Sequence, residues 1–530
     1  MSTNTKPVAF TAPHYAASQV GQKILEHGGT AIEAMVAAAA SIAVVYPHMN
    51  SMGGDGFWLI SEPGKSPVAI DASGTAAQHA DLNFYKDLAV IPTRGGKAAL
   101  TMAGAVAGWH KALQLSREWQ SPIELAELLA PAIGQAEWGI EVTQSLQDAS
   151  EKTFDDLGHF AHFEQFLING KSLKKGKILK LPKVAATLET LVQHGLMDFY
   201  QGAMAKQIAE DLAAVGSPII LADLAAYEAK LVEPLQVSTS VAKLYNLPAP
   251  TQGIASLLIL TLFDKVRHLA KCETDFIHLL IEATKQAFIV RNHYLSDASR
   301  LTRPLEEFLT ETELVKMAKN ISVEQALPWP HVAKTGDTIW MGACDDQGRM
   351  VSYIQSSYWE FGSGVVLPQT GIVWNNRGTS FSLDPSNINF LQPGLKPFHT
   401  LNPAFAELHD GRRMVYGTMG GEGQPQTQAA LFARHVYQQK ELVAAIAEAR
   451  WLLGRTWGDN SHNLKVEEDL DTQVIGQLIV KGHDIAVVES CNELMGHAGA
   501  IVQNTDKSLI AASDPRSDGR AFYATVKPTH

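Results

Sequence analysis

Two helices are predicted near the N-terminus from the spacing of apolar and polar positions. Residues 15–27 show helical periodicity and stop at Gly28, as expected where a glycine ends a helix. Residues 34–45 form the most apolar segment, and Thr30 and Glu33 precede it with the spacing of a capping box. The segment is too short to cross a bilayer, so it predicts a buried core helix.

The pattern changes from helical to strand-like in the second half of the chain. Apolar spacing is mostly helical from about residue 122 to residue 319. Thr338 then stands at the mouth of an apolar strand, and residues 338–356 predict a β-hairpin. A second hairpin is predicted at residues 404–417, and a helix follows at about residues 424–439. This order predicts an α/β (α+β) fold, in which layers of helices and sheets pack together.

Composition limits the function without identifying it. The chain has 530 residues, of which 46% are hydrophobic and 18% are charged, as in a globular enzyme. No Pro/Ser-rich linker or long block of charge divides it, so we expect one large unit. The net charge of -12 argues against a nucleic-acid partner, because a polyanion would be repelled.

Cysteine usage and the N-terminal residues bear on the compartment. Cys272, Cys344 and Cys491 are odd in number and widely spaced, which argues against a disulfide framework or a CxxC motif. Residues 1–7 lack the apolar stretch and the small-residue cleavage site of a signal peptide. We therefore expect a cytoplasmic protein with free thiols and without membrane contact.

Thr338 is the candidate nucleophile. A hydroxyl needs a base, and if the bond between Asp337 and Thr338 is cut, the new α-amine of Thr338 can serve as that base. An α-amine has a pKa of about 7.7 to 8.0 and accepts a proton at neutral pH. The same hydroxyl would first attack the Asp337 carbonyl, giving a large subunit of residues 1–337 and a small subunit of residues 338–530. The alternative is an ordinary threonine at the start of a strand.

Several motifs in a fixed order resemble one enzyme family. The matching blocks include Gly53-Gly54-Asp55-Gly56-Phe57, Leu401-Asn402-Pro403 and Gly417-Thr418-Met419-Gly420-Gly421, and the others are residues 7–12, 25–34, 43–52, 338–348, 361–366 and 371–376. Together they resemble the gamma-glutamyltransferase family of N-terminal-nucleophile (Ntn) hydrolases. The resemblance implies a four-layer αββα sandwich with a large helical portion.

The resemblance also implies groups that assist the nucleophile. Ser356 falls where the family has a hydroxyl that bonds to the nucleophile. Gly420 and Gly421 lie between a predicted strand and a predicted helix, where backbone N–H groups near the positive end of a helix suit a developing oxyanion. The loop at residues 53–56 lacks the spacing of a nucleotide site, and we interpret it as a tight buried turn.

The residues with which the family holds a glutamyl head group are replaced in this chain. An arginine holds the glutamyl α-carboxylate in the stretch that corresponds to residues 73–81, which contains no arginine. The acidic pair of which one member binds the glutamyl α-amine is replaced by Thr379 and Ser380. Both losses would remove most recognition of an amino-acid head group, because charge-assisted pairs are the strong ones.

A different arginine stands inside the pocket motif. The planar guanidinium of Arg377 suits bidentate capture of a carboxylate, although a structural ion pair would also explain it. Arg94 is a second candidate for this role. Neighbouring motif residues complete the predicted substrate site, and they are Asn376, Tyr358, His399 and Thr400.

A small acid amide is the substrate class that this pocket predicts. The pattern resembles the subgroup of the family that hydrolyses oxamate to oxalate and ammonia. The alternatives are a gamma-glutamyl hydrolase or transpeptidase acting on glutathione-like substrates, and an acylase for amides with bulky side chains. The implied partners are the amide substrate and the two subunits of one precursor, and a homodimer of such heterodimers stays open. We expect no cofactor and no metal.

Two hypotheses from other classes stay open. A metal-dependent hydrolase could use an acidic and histidine-rich segment in which two histidines stand i,i+3 on a predicted helix. No HExxH motif or second cluster supports it, and a solvated polar face is the favoured explanation. The residues concerned are Asp155, Asp156, His159, His162 and Glu164. A binding protein is the other hypothesis, and an intact chain with an unreactive Thr338 would indicate it.

Overall fold

Two antiparallel sheets lie face to face in the structure, a computed structural model that describes residues 5–119, 123–329, 337–454 and 463–527. The strands of the described residues are β1 (Lys6–Ala12), β2 (Asp55–Ser61), β3 (Val68–Ala72), β4 (Ile140–Glu141), β5 (Ile178–Leu179), β6 (Lys230–Val232), β7 (Leu235–Ser238), β8 (Ala242–Asn246), β9 (Asp337–Cys344), β10 (Met350–Tyr358), β11 (Ala404–Leu408), β12 (Arg413–Thr418), β13 (Trp451–Leu453), β14 (Leu464–Glu467), β15 (Ile485–Val488), β16 (Ala498–Gln503), β17 (Leu509–Ser513) and β18 (Arg520–Val526). The first sheet has the order β18-β1-β9-β10-β2-β3-β6, and the second has the order β17-β16-β12-β11-β8-β7.

Helices cover the outer faces of both sheets. Those of the described residues are α1 (Tyr15–Glu26), α2 (Ala31–Val45), α3 (Ala105–Glu118), α4 (Leu125–Trp138), α5 (Gln144–Leu157), α6 (Pro182–His194), α7 (Asp198–Gln201), α8 (Ala203–Ala214), α9 (Leu221–Ala226), α10 (Gly253–Val266), α11 (Glu273–Tyr294), α12 (Glu311–Ala318), α13 (Gln424–Phe432), α14 (Leu442–Ala447) and α15 (Thr472–Val480). One apolar core joins α1 to α8 to the first sheet, and another joins α10, α11 and α13 to the second.

A third core fills the gap between the two sheets. Phe57 and Trp340 of the first sheet meet Phe405, Val415 and Ile501 of the second. The layers are therefore helix, sheet, sheet and helix, which confirms the αββα architecture. Because side chains alternate along a strand, every second residue of β2, β9 and β10 points into this gap.

The structure confirms the predicted end of the first helix to within one residue, the capping box of the second helix, and both hairpins. The helix α1 ends one residue earlier than predicted, His27 caps it, and Gly28 follows with φ +88°. The capping box is present, with Thr30 Oγ1 accepting from the N–H of Glu33 and the Glu33 carboxylate accepting from the N–H of Thr30. Both hairpins form, and α13 continues as a π-helical turn at Ala433–Tyr437. No helix in the described part of the chain is long and apolar enough to cross a membrane.

Five short strands, β4 to β8, interrupt the stretch that the apolar spacing predicted to be mostly helical, and the last three of them belong to the two large sheets. β6 is an edge of the first sheet, whereas β7 and β8 belong to the second, so the chain changes sheets between Val232 and Leu235. Exposed positions such as Leu231 leave no regular apolar stripe here. Strands this short give little alternation to detect.

Candidate active site

Thr338 lies opposite a β-bulge at the start of β9. The register between β9 and β10 shifts between Gln355 and Tyr358, so Ser356 and Ser357 together oppose Thr338. Thr338 and Ser356 are both fully buried. Bulges often occur beside active sites, where they re-aim side chains. The predicted nucleophile and the predicted assisting hydroxyl thus belong to adjacent strands at one position. Residues 330–336 and the side chain of Asp337 lie outside the described residues.

Asp55 extends this row onto a third strand. In the pairing of β10 with β2, Ser356 lies opposite Asp55. Asp55 shares its face of the sheet with Phe57, and Thr338 shares its face with Trp340, which both point between the sheets. The residues of the row therefore converge on one end of the gap between the sheets.

The backbone is strained where the bulge ends. Tyr358 has φ +83°, a region that bulky L-residues rarely adopt, and its side chain is 2% exposed. Its N–H donates to Ser356 Oγ at 2.8 Å. Such strain costs about 1 to 3 kcal/mol and is commonly found at functional sites.

The glycine turn follows a strand that packs on Trp340. Gly417 of β12 lies so close to the indole that an added Cβ would be 2.2 Å from a ring atom. Gly420 (φ +119°) and Gly421 (φ +53°) come just after it and lead into a short 3-10 turn and α13. The two candidate oxyanion donors therefore precede the positive end of a helix, on the sheet that faces Thr338.

A buried network fixes this turn. Gln252 Nε2 donates to the carbonyl oxygens of Gly421 and Thr400, each at 2.8 Å. Gln252 Oε1 in turn accepts from Arg291 Nη1 at 2.9 Å, and Arg291 Nη2 pairs with Glu422 at 2.5 Å. The network joins the glycine turn to the loop that carries the predicted pocket residues.

Arg377 is completely buried in the same region. Its guanidinium carbon lies 3.6 Å from the ring centroid of Tyr358, and its Nη1 donates to Thr400 Oγ1 at 3.2 Å. Its Nε is 3.8 Å from Asp55 Oδ2, which is beyond hydrogen-bond range. Neither Nε nor Nη2 has a hydrogen-bond partner among the described residues. Burial lowers the pKa of Arg377 to about 10, so it stays charged at neutral pH.

Asp55 is the counter-charge of this arginine. Its Oδ1 accepts from the N–H of Gly74 at 2.8 Å, and its Oδ2 lies 3.1 Å from His399 Nε2. Burial raises the pKa of Asp55 to about 7, against the opposing effect of Arg377. Burial also holds the pKa of His399 well below its usual value, so this imidazole is neutral. Asp55 is the first residue of β2 and lies beside Arg377 and His399, so the loop at residues 53–56, interpreted from the sequence as a tight buried turn, also brings a charged group to the site.

Both polar atoms of the Asn376 side chain form hydrogen bonds with backbone groups. Its Oδ1 accepts from the N–H of Trp359 at 3.1 Å, and its Nδ2 donates to the Thr93 carbonyl at 2.9 Å. Substrate contact by Asn376 stays a prediction. Arg94 is likewise engaged, because it pairs with Asp156 at 2.8 Å and donates to two carbonyls of residues 360–362.

The site is enclosed, and a cleft lies next to it. Thr338, Arg377 and His399 have no exposed surface. Glu422 and Phe398, each one residue from a candidate site residue, line a cleft of about 370 Å³. An enclosed site of this kind suits a small substrate.

Comparison with known proteins decides the family. The gamma-glutamyltranspeptidase family model matches residues 17–524. The chain belongs to this family. It is therefore a hydrolase of C–N amide bonds, and the Ntn-hydrolase fold expected from the motifs is confirmed.

Two curated relatives match this chain over almost its whole length. The oxamate amidohydrolase proenzyme of Klebsiella pneumoniae is 49% identical over 512 residues, 96% of this chain and 97% of that protein. A glutathione hydrolase-like proenzyme of Bacillus subtilis is 35% identical over 517 residues, with the same coverage. Among solved structures, cephalosporin acylase from Bacillus halodurans has a TM-score of 0.89 and 30% identity, and the match covers 98% of this chain and 96% of that one.

The metal-hydrolase hypothesis loses its structural premise in this family member. Helix α5 ends at Leu157, and His162 has a left-handed backbone with φ +67°, so His159 and His162 are not on one helix. Gly158, the C-terminal cap, is a stop signal that the i,i+3 argument overlooked.

One other group could bring three ligand atoms together in the described residues. His278, Glu282 and His483 place such atoms within 4.8 Å of one another. These residues already satisfy one another or their neighbours, because His278 Nδ1 lies 2.8 Å from His483 Nε2 and Glu282 pairs with Lys285 at 2.7 Å. A dication beside the Lys285 ammonium would add unbalanced buried charge. The expectation of a site without metal stays a prediction.

Sequence reasoning missed Asp55, Gln252 and Arg291 as parts of the site. A signal for Asp55 was present, since an acidic residue at the start of an otherwise apolar buried strand needs a partner. Gln252 and Arg291 gave no comparable signal, because each acts through residues more than a hundred positions away.

Proposed function

We propose that this protein is a self-processing amidohydrolase with Thr338 as its N-terminal nucleophile, and that it hydrolyses oxamate to oxalate and ammonia. The observation that carries the substrate assignment is the buried guanidinium of Arg377, whose Nε and Nη2 have no hydrogen-bond partner among the described residues. These two N–H groups form the edge that binds a carboxylate in a bidentate manner.

Maturation begins at the peptide bond between Asp337 and Thr338, the first two residues of β9. Thr338 Oγ attacks the Asp337 carbonyl carbon, the C–N bond breaks, and an ester joins Asp337 to Thr338. Water hydrolyses that ester, which leaves residues 1–337 with a new carboxylate and residues 338–530 with a free α-amine. Ser356, which lies opposite Thr338 across the bulge, orients the attacking hydroxyl in this proposal.

Catalysis repeats the chemistry on the substrate. The α-amine of Thr338 accepts the Oγ proton as Oγ attacks the amide carbonyl carbon, and the N–H groups of Gly420 and Gly421 stabilise the tetrahedral oxyanion. The proton then passes to the leaving nitrogen, ammonia departs, and an ester remains on Thr338. Water, activated by the same amine, hydrolyses this ester and restores the hydroxyl.

The pocket chemistry favours a small carboxylate-bearing amide. Arg377 supplies a buried positive charge, and Tyr358 and His399 leave the site enclosed. The similarity to a protein named oxamate amidohydrolase supports the same substrate here. The runner-up is a gamma-glutamyl substrate such as glutathione, which the similarity to a glutathione hydrolase-like proenzyme favours.

Intact mass and ammonia release test this proposal together. Wild type is expected to run as two fragments that break between Asp337 and Thr338, and to release ammonia from oxamate. Thr338→Ala is expected to stay one inactive chain, whereas the matched variant Thr338→Ser keeps a hydroxyl and should still be cleaved. A cleaved alanine variant, or a fully active uncut wild type, would refute the nucleophile. Much faster turnover of a gamma-glutamyl anilide than of oxamate would replace the substrate.

A further inference from the structure

Asp55 stands beside the edge of Arg377 that has been assigned to the substrate. Its Oδ2 is 3.8 Å from Arg377 Nε and 3.1 Å from His399 Nε2, and its Oδ1 accepts from the N–H of Gly74. Asp55, Arg377 and His399 are all fully buried, so no bulk water screens their charges.

A bound carboxylate would bring a second anion to Asp55. A carboxylate that accepts from Arg377 Nε and Nη2 places an oxygen next to the N–H that faces Asp55 Oδ2. Two carboxylates in one buried site cannot both stay ionised, and the usual result is that they share one proton. His399 does not relieve the repulsion, because a neutral imidazole supplies a hydrogen bond to Asp55 and no positive charge.

We propose that substrate binding at Arg377 is coupled to protonation of Asp55. One proton is taken from solvent, the Asp55 carboxylate becomes a carboxyl group, and its O–H donates to the substrate carboxylate. Asp55 thereby contributes a third hydrogen bond and keeps the net charge of the pocket constant. This inference rests on the proposed role of Arg377.

The surroundings of Asp55 lower the free energy needed to protonate its carboxylate at neutral pH. Burial already raises the pKa of Asp55 to about 7. Other titratable or charged groups also face Asp55 or influence it through the surrounding elements, and they are Arg377, Asp71, Lys396, His399, Tyr200 and Tyr227. Tyr358 packs on the guanidinium of Arg377. Asp71 is held in its ionised form by Lys396, whose Nζ lies 2.7 Å from its Oδ2. The negative charge of Asp71 disfavours the ionised form of Asp55.

Proton uptake on binding of pyruvate tests the coupling. Pyruvate is a monoanion with a methyl group where oxamate has the amide nitrogen, so it can occupy the site but has no C–N bond to be hydrolysed. Calorimetry of mature enzyme in two buffers with different ionisation enthalpies gives the number of protons taken up. We expect between about half a proton and one proton per site near pH 8, where free Asp55 is mostly ionised. The KM for oxamate should accordingly rise above pH 7, by up to about tenfold per pH unit.

Two variants separate Asp55 from other groups. Asp55→Asn should abolish the uptake and flatten the KM profile, whereas Asp71→Asn, at a matched buried carboxylate on β3, should retain the uptake. Uptake that persists in Asp55→Asn would assign the proton to the α-amine of Thr338 and overturn the inference. If Asp55→Asn fails to fold, the infrared band of a protonated carboxyl group, appearing when wild type binds pyruvate, decides the same question, and its absence overturns the inference.

The outcomes also distinguish this inference from the proposed function. Pyruvate binding without proton uptake, together with oxamate hydrolysis, overturns the coupling and leaves the function standing. If the wild type neither binds pyruvate nor hydrolyses oxamate, the proposed function is refuted, and the coupling is refuted with it.

Discussion

Replacing Arg377 with alanine should lower activity on oxamate specifically. The open edge of this arginine presents two N–H donors, Nε and Nη2, in a site without exposed surface. A hydrogen bond to a charged group contributes about 1.5 to 3 kcal/mol, which corresponds to roughly 10- to 150-fold in kcat/KM. Because two donors are lost in a buried site, we expect the upper part of that range. Arg377→Lys should recover only part, since an ammonium cannot reproduce the planar fork.

The assay compares oxamate with its uncharged isostere oxamide. Ammonia release from both substrates is measured for wild type and variants, with intact mass confirming that self-cleavage is unchanged. Arg377→Ala should reduce kcat/KM for oxamate and spare oxamide, because only oxamate carries the carboxylate. An equal loss on both substrates, or no loss on oxamate, would refute the carboxylate role.

A second buried arginine provides the control for loss of packing. Arg434 is 1% exposed, lies 5.2 Å from the ring centroid of Trp451, and has its pKa lowered by burial to about 10, as Arg377 does. It belongs to the core beside the second sheet, away from the pocket residues. Arg434→Ala should lower stability without changing the ratio of oxamate to oxamide turnover.

Three further predictions concern other parts of the molecule. Ser356→Ala should slow self-cleavage of fresh precursor and the rate on oxamate, while Ser356→Thr should restore both, as followed by intact mass over time and by ammonia release. Gly420→Ala should lower kcat by about 10- to 1,000-fold with little change in KM, because φ +119° is strained for alanine and a displaced donor weakens the oxyanion site. Acid should destabilise the fold, because burial lowers the pKa of His14 to about 3 and those of His278 and His497 to about 4. The unfolded state then binds more protons than the native state as pH falls from about 6.5 toward 4, which lowers the free energy of unfolding by about 1.4 kcal/mol per histidine at pH 5.5. Denaturant titrations at pH 7.5 and 5.5 measure this difference, and equal free energies of unfolding would contradict the prediction.

The parts of the fold that local sequence predicts are those held by near neighbours. The capping box of α2 joins Thr30 to Glu33, three residues apart, and the hairpin of β9 and β10 closes over a short turn. Such elements carry their own signals of periodicity, capping and turn residues. The change of sheets between β6 and β7 carries none, because its strands gain their hydrogen bonds only from distant segments.

The candidate site divides in the same way. Thr338 and the glycine turn stand at recognisable strand and helix ends, so sequence could propose them. The partner of Arg377 could not be proposed, because Asp55 lies more than three hundred positions away and meets the arginine only after β2 and β10 pair. A buried charge in a sequence predicts that a partner exists, but the fold alone decides which residue it is.

The bulge opposite Thr338 connects the proposed nucleophile to the proposed substrate pocket. Two residues of β10 oppose Thr338, which brings Ser356 beside Thr338 and lets Ser356 Oγ accept from the N–H of Tyr358. The same distortion holds Tyr358 at φ +83° and places its ring 3.6 Å from the guanidinium carbon of Arg377. Removing the strain would therefore move both the Ser356 hydroxyl beside Thr338 and the Tyr358 ring that packs on Arg377. For this reason a glycine at position 358, although relaxed at that φ, should impair recognition of the substrate carboxylate as well as self-cleavage.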